Sequence, residues 1–319
     1  RLGNDGDFKA WGNREIKYAA NLTTTPATVT LPKGGGTSVY FAPTLPNMSK
    51  VSMPSGLETV FKAVSSKVKK TDFDKLVKYL AATVGRNPIT VCDSNSFHNV
   101  SYLMAATAIK QRPKTTGRTY AVFNFDYHDD FGEDSSVVGS DTWGRHVKAY
   151  AAQRGYATYA YFVVGLNGKI SAKRYCPDAC DVITISSGGS KYQTLHRKVT
   201  EIADEIDLAN TDFYVSIDRD VLKDNATQWR TTSVHTVANI HYLLRGLCAN
   251  LISKGAKLIG FDVTGLPVHP GVADYDQYKG GSDLESGVKR EITKWVALAE
   301  KAIALSHDVG TRGEVDDMG

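Results

Sequence analysis

The chain lacks most of the features that would assign it to a specialised class of protein. Cysteine is scarce: Cys92, Cys176, Cys180 and Cys248 are too few to staple 319 residues, so the fold must stand on its hydrophobic core. Cys176 and Cys180 flank Pro177 in a C-x-x-x-C pair, but no second Cys/His pair lies nearby to complete a zinc site, and the two read as loop thiols or one local disulfide. No apolar run approaches bilayer length, and Arg1 to Asp7 carry no hydrophobic core of a secretion signal, so no membrane association is expected. Starting at Arg1 and not at Met, the chain reads as a processed product or a segment of something longer. An excess of one charge is missing too. The net charge is +4, and the basic residues are scattered apart from Lys67, Lys69 and Lys70, which sit beside an expected helix end and read as a solvated face, not a nucleic-acid patch. Gly34-Gly35-Gly36 lacks the Lys-Ser/Thr ending of a phosphate-binding loop and reads as a flexible turn.

What is present is the composition of an ordinary globular domain, 42% hydrophobic and 23% charged, long enough for one large α/β domain or two small ones. From about residue 38 onward, short β-branched or aromatic runs alternate with longer helical patterns, the signature of successive βαβ units around a parallel sheet. The expected strands are Ser38–Phe41, Ile89–Asp93, Tyr120–Asp126, Thr158–Val164, Asp181–Ser186, Asp212–Asp218 and Lys257–Val263. The expected helices lie near Leu57–Val68, Asp72–Val84, Val100–Lys110, Thr142–Arg154, Thr194–Ile206, Thr236–Lys254 and Leu284–Ser306. In the last of these, Val288, Ile292, Trp295, Val296, Leu298, Ala299, Ala302 and Ile303 recur at helical spacing, as in a helix packed on a sheet. Residues 1–37 are polar, rich in Thr and Gly, and read as an irregular N-terminal segment ahead of one domain over 38–319, with no repeat or dividing linker.

Ionisable residues cluster where these strands end. Tyr120-Ala-Val-Phe-Asn-Phe gives way to Asp126-Tyr-His128-Asp129-Asp130, and ligands bind at the C-terminal strand ends of a parallel sheet. On a chain still extended, Asp126, His128 and Asp130 share one side by period two. So much negative charge at a buried strand end is costly without a cation to offset it. Phe213-Tyr-Val-Ser-Ile runs likewise into Asp218-Arg-Asp220, and Ile89-Thr-Val-Cys-Asp93 is followed by His98 at the start of a helical pattern. Alone, an Asp-x-Asp is usually a cap or turn, and a lone His is usually hydrogen-bonded in a core or on a surface. Three strand ends with complementary ligand types point instead to two divalent ions, and oxygen ligands mixed with imidazole suit manganese better than a thiolate-seeking metal.

These residues resemble the arginase and agmatinase family, the ureohydrolases. Members carry a glycine-rich segment ending in Asp-His-Ser, then Asp-Ala-His-x-Asp, then Ser-x-Asp-x-Asp-x-x-Asp-Pro. The stretches that match are Ser96-Phe97-His98-Asn99, Asp126-Tyr127-His128-Asp129-Asp130 and Ser216-Ile217-Asp218-Arg219-Asp220, and order and spacing hold from His98 to the strand around Asp262. The resemblance implies a three-layer α/β/α fold with a mainly parallel sheet. It implies one manganese ion on His98, Asp126, Asp130 and Asp218 and another on Asp126, His128, Asp218 and Asp220, with Asp126 and Asp218 bridging. The reaction it implies is hydrolysis of a linear C–N bond in a guanidino, amidine or amide compound by a metal-bridging hydroxide that Asp130 orients.

The departures are specific. Where the family has Asp-x-x-Glu-Val-Asn-Pro, whose Glu grips the guanidinium, this chain has Asp262-Val-Thr-Gly265-Leu-Pro267; Lys223-Asp224 replaces the Asp-Pro, and Asp93-Ser-Asn-Ser-Phe replaces the glycine-rich run. The metal core is kept and the substrate contacts are rewritten, so arginine and agmatine are not the expected substrates. His146, in Gly139-Ser-Asp-Thr-Trp-Gly-Arg-His, is the candidate proton shuttle, weighed against an ordinary helix-surface histidine. Trp143, Arg145, Trp229 and Arg230, on expected loops, are candidate substrate contacts, and their cations would favour an anionic substrate. Two other readings stand beside the hydrolase: a non-catalytic metal-stabilised module that inherited the fold, and a zinc deacetylase-like enzyme, which the complete second carboxylate pair disfavours. The expected partner is a small molecule, with homo-oligomerisation left open. Asn-x-Ser/Thr triplets occur at Asn21, Asn47, Asn99 and Asn225, but a glycan at Asn99 or Asn225 would obstruct the site, so the expected setting is unglycosylated and cytoplasmic.

Overall fold

The computed structural model describes residues 15–18, 27–30, 38–41, 67–83, 87–91, 98–114, 116–132, 137–165, 180–183, 206–222, 235–264, 294–295 and 297–307. Along the chain these form β1 (Glu15–Tyr18), β2 (Ala27–Thr30), β3 (Ser38–Phe41), β4 (Lys67–Lys69), α1 (Lys70–Thr83), β5 (Pro88–Val91), α2 (Val100–Gln111), β6 (Thr119–Phe125), β7 (Val137–Gly139), α3 (Trp143–Gln153), β8 (Thr158–Val164), β9 (Cys180–Ile183), β10 (Thr211–Asp218), α4 (Val237–Ser253), β11 (Lys257–Thr264) and α5 (297–307).

A 7-stranded sheet runs in the order β3-β5-β11-β10-β6-β8-β9, parallel throughout except for β3, which lies antiparallel on β5. Helices cover both faces, giving the three-layer α/β/α arrangement. Strand periodicity divides the residues between the faces. Ala121, Phe123 and Phe125 of β6, Phe213, Val215 and Ile217 of β10, and Phe162 and Val164 of β8 point one way, into a core closed by Leu243, Leu247 and Leu251 of α4 and by Trp295, Ala299 and Ala302. The alternate positions point the other way and are far more polar: Tyr120 and Asn124, Tyr214 and Ser216, Tyr159 and Tyr161, all buried. On that side lies α2, in which every residue from Val100 to Ile109 is buried, because α1 and α3 flank it while the sheet lies beneath. The two faces thus differ in kind, one greasy and one laced with hydroxyls and amides.

Several local expectations are corrected. The expected helix Leu57–Val68 does not extend to its last two residues, because Lys67–Lys69 forms β4 and pairs antiparallel with β7. Within the segment read as irregular, β1 and β2 pair antiparallel. Asn99, where no glycan is expected, is fully buried, and its amide donates to the Val138 carbonyl at 3.3 Å. Cys92, Cys176, Gly34–Gly36, the expected helices at 57–66 and 194–205, and Asn21, Asn47 and Asn225 lie outside the described residues. Among the described residues no helix is long and apolar enough to cross a membrane.

Gly165 ends β8 at φ +106, where a Cβ would run into the Val221 Cγ2 methyl and sit 3.2 Å from the Asp126 carbonyl oxygen. Gly165→Ala combines left-handed strain with overpacking at the rim of the site, and is expected to cost about 2–4 kcal/mol in urea unfolding. A variant as stable as the parent would show that this rim is not tightly packed.

Candidate metal centre

The site forms where β6 and β10 end and α2 begins. Asp126 is the first residue beyond β6, and its backbone N–H still bonds to Val164 O at 3.0 Å. The chain then turns instead of continuing as a pleat, and Asp130 takes φ +48, a left-handed conformation that Asp tolerates better than most residues. Convergence of Asp126, His128 and Asp130 therefore comes from a turn and not from strand periodicity. His128 and Asp130 end up on different sides of Asp126.

Asp126 stands between two histidines. His98 Nδ1 lies 3.0 Å from Asp126 Oδ2, 2.5 Å from Asp130 Oδ2 and 3.6 Å from Asp218 Oδ2. His128 Nδ1 lies 3.6 Å from Asp126 Oδ1 and 2.9 Å from Asp220 Oδ2. Donor atoms thus gather into two groups, His98 with Asp126 and Asp130, and Asp126 with His128 and Asp220, and Asp126 belongs to both. Asp218 closes β10, and its Oδ1 caps the following turn by accepting from Asp220 N–H at 3.1 Å. Asp220 in turn accepts from Tyr127 N–H at 3.1 Å, which ties the two strand-end loops together. Asn124 Nδ2 donates to Asp126 Oδ2 at 3.0 Å, and His128 N–H donates to Oδ1 at 2.7 Å.

The electrostatics of this arrangement are unbalanced without a cation. Burial, and then the Asp126 charge, hold Asp130 and Asp218 above the usual carboxylate range; for Asp220, burial is followed by Asp218 and then by Asp126. Burial acts in the same direction on Asp126, but hydrogen bonds to His128 and His98 outweigh it and pull that carboxyl down. Burial disfavours the charged imidazoles too, yet carboxylate neighbours lift His98 well above its ordinary value and push His128 up to about 12.

His98 shows most directly what is wanted. Ser216 Oγ donates to Asp262 Oδ1 at 2.8 Å, so it accepts from His98 Nε2–H at 2.8 Å, and this fixes the ring's orientation. Nδ1 is buried and aimed among carboxylate oxygens, with Asp130 Oδ2 and Asp126 Oδ2 nearest. An imidazole nitrogen so placed requires a proton or a metal ion. The donors are carboxylate oxygen and imidazole nitrogen with no thiolate, a set that fits hard to borderline divalent ions such as manganese.

All six ligand-type residues expected from the sequence, His98, Asp126, His128, Asp130, Asp218 and Asp220, are thus brought to one place. The other site residues fare differently. Trp143 and Arg145 lie in α3, not on a loop. Trp143 is fully buried with its indole N–H on Asp130 Oδ2 at 3.0 Å, and Arg145 Nη1 donates to Gly132 O at 3.3 Å. His146 is buried, not a surface residue; its Nε2 meets Val137 O at 2.8 Å, and it belongs to neither ligand group. Trp229, Arg230 and Gly265 lie outside the described residues. Sequence reading missed the support beneath His98: Asp262 Oδ1 also accepts from Ser101 Oγ at 2.9 Å, and Asp262 Oδ2 accepts from Tyr214 OH at 2.6 Å. A signal was present. Tyr214, Ser216 and Asp218 alternate along β10, so a polar row leads down one face of the strand to the carboxylate.

No protein-family model matches the chain, and no curated protein sequence does. Solved structures do. Formimidoylglutamase from Bacillus subtilis superposes with a TM-score of 0.50 at 13% identity, over 74% of this chain and 67% of that one. Proclavaminate amidino hydrolase from Streptomyces clavuligerus gives 0.49 at 18% identity, over 75% and 72%, and arginase from Bacillus caldovelox 0.47 at 15%, over 84% and 82%. In its sheet and its helical layers the chain is a divergent member of the arginase/agmatinase ureohydrolase fold.

Proposed function

We propose that the chain is a binuclear-metal hydrolase of linear C–N bonds in a guanidino, amidine or amide compound. The observation that carries this reading is the pair of ligand groups sharing Asp126 at the strand ends of the β6–β10 pair. His98, Asp126, Asp130 and Asp218 would hold one ion, and Asp126, His128, Asp218 and Asp220 the other, with Asp126 and Asp218 common to both. Manganese is the ion we assign. When bound, two such ions would supply Lewis acidity, lowering the pKa of a water at the site and offsetting charge developing on the attacked group. The chain's own residues do the rest. Asp130 accepts a hydrogen bond from the attacking water and sets its direction. Ser216 and Asp262 keep His98 in one tautomer. The buried floor of Asn124, Tyr161 and Trp143 keeps bulk water from approaching from below.

We further propose that arginine and agmatine are not the substrates, because in the sequence Asp262-Val-Thr-Gly265 a glycine takes the place of the glutamate that the resembling family pairs with a guanidinium. The same absence favours a second reading, a non-catalytic module that binds metal for stability alone. A screen of guanidino, amidine and amide compounds for urea or ammonia release, with manganese added, separates the two. Turnover of any of them supports the enzyme. Two tightly bound ions with no turnover across the screen favour the module, and rapid urea release from arginine would overturn the substrate assignment.

The protonation of the metal-free site makes a further test. His98 and His128 are both raised by their carboxylate neighbours, His128 to about 12, so the site without an ion favours protonated imidazoles. A ligating nitrogen must be bare, so manganese uptake near pH 7 is expected to release protons, and affinity is expected to strengthen as pH rises. By linkage, the stability that protonated His128 contributes to the metal-free protein is complete below its ordinary 6.5 and is lost as pH climbs towards about 12. Calorimetric titration in buffers of different ionisation enthalpy counts the protons. Manganese affinity independent of pH between about 6 and 8 would contradict the assignment of both histidines as ligands.

A further inference from the structure

Asp130 is gripped at two points by the first turn of α3. Trp143 Nε1–H donates to its Oδ2 at 3.0 Å, and Gly144 N–H donates to its backbone carbonyl at 3.2 Å. The same Oδ2 is the atom lying 2.5 Å from His98 Nδ1. Trp143 also lies against the His98 ring, with centroids 5.0 Å apart and planes tilted by 48°, and it meets the Tyr161 ring edge-on at 5.9 Å. Its side chain is fully buried, and the space around it is tight, since a Cβ on Gly144 would come within 2.5 Å of Tyr161. One indole therefore contacts two members of the same ligand group, one through a hydrogen bond and the other through a tilted ring contact. It is walled in, so no substrate can reach it.

We infer that Trp143 is a positioning residue for the metal centre: its N–H holds the Asp130 carboxylate in place against His98, so that the His98–Asp126–Asp130 group is assembled before an ion arrives. This rests on the binuclear reading above. Three features of the geometry support it. Asp130 sits at φ +48, a conformation that carboxylate-bearing residues tolerate but do not prefer, so the residue needs external restraint to stay there. The indole N–H is a donor without acceptor capacity, so the contact is made only when an Asp130 oxygen lone pair faces it, which fixes the direction of that carboxyl group. Finally, a partner that orients a ligating group commonly changes metal affinity by 10–100-fold when removed, without itself touching the ion. Trp143 is thereby reassigned from the substrate surface to the support of the site.

The test compares the wild type with Trp143→Phe, which keeps a ring and drops the N–H, and with a variant carrying β-(3-benzothienyl)alanine at position 143, which has the indole's shape with sulfur in place of N–H. Manganese binding is followed by calorimetry and by Mn2+ electron paramagnetic resonance, and melting of the metal-free protein is measured on the same preparations. Both variants are expected to bind one of the two ions about 10-fold more weakly and to show an altered resonance spectrum. Metal-free melting of the benzothienyl variant is expected to stay within a few degrees of the parent. Unchanged affinity and spectrum in both variants would overturn the inference while leaving the binuclear reading intact. A defect confined to Trp143→Phe would also overturn it, because ring volume and not the N–H would then be responsible. If the Phe variant fails to fold, the benzothienyl variant decides alone. A wild type that binds no manganese would overturn the binuclear reading, and this inference with it.

Discussion

Asp126→Asn is expected to strip both ions from the protein, weakening each by at least about 100-fold in a calorimetric manganese titration. Asp126 is the residue common to the two ligand groups, with Oδ2 facing His98 and Oδ1 facing His128, so its loss cannot be confined to one side. The substitution conserves shape, but it removes the charge that both histidines face. It also turns an amide group towards Asn124 Nδ2 or the His128 N–H, which now donate to the carboxylate oxygens. Asp218→Asn should act in the same direction, since Asp218 Oδ2 faces His98 while Oδ1 holds the turn that presents Asp220. Metal content after gel filtration, with circular dichroism to confirm the fold, decides the matter. Two ions retained in both single variants would remove the basis for shared ligation.

Much of this centre could be read in the sequence, because the strong signals there are local. An apolar run broken by carboxylates marks a strand end whatever surrounds it, and β6, β10 and β11 lie close to where their composition puts them. The pleat is regular enough that alternation alone separates Phe123 and Phe125 from Asn124. What stayed hidden depends on partners far away in the chain. β4 is three residues long and exists only because β7 pairs with it, so Lys67-Val-Lys carries no strand signal of its own. The bulge between Phe213 and Tyr214 shifts the register of β11 and leaves Gly260 beside Tyr214, where a Cβ would come within 2.5 Å of the tyrosine ring. His146 and Trp143 are one turn apart on α3, but only packing reveals that the tryptophan faces Asp130 and that the histidine is tied to Val137. Chemical type singled out the histidine, and geometry puts the tryptophan at the site.

Asp262 and Asp212 separate what the metal centre needs from what the sheet needs. Both carboxylates are fully buried and accept from several donors. Asp262 takes Ser216, Ser101 and Tyr214 beneath His98; Asp212 takes Arg118 at 2.8 Å, Arg112 at 3.3 Å and Tyr156 OH at 2.8 Å. Asp212 lies near the start of β10 and the metal ligands at its end, about 20 Å apart for an extended strand. Alanine at either position strands buried donors, and each is expected to cost about 2–4 kcal/mol of the metal-free protein's stability. Only one should disturb the site. Without Asp262, Ser216 is free to rotate and donate towards His98, so the Nε2–H tautomer that leaves Nδ1 facing the carboxylates is no longer enforced. Manganese affinity is then expected to fall about 10–100-fold for Asp262→Ala and to stay within about twofold for Asp212→Ala. Urea unfolding of the metal-free variants and manganese titration of the same samples give both numbers. Equal losses of affinity in the two variants would mean that the centre responds to global stability, and unchanged affinity in Asp262→Ala would show that His98 needs no support from the serine–aspartate pair beneath it.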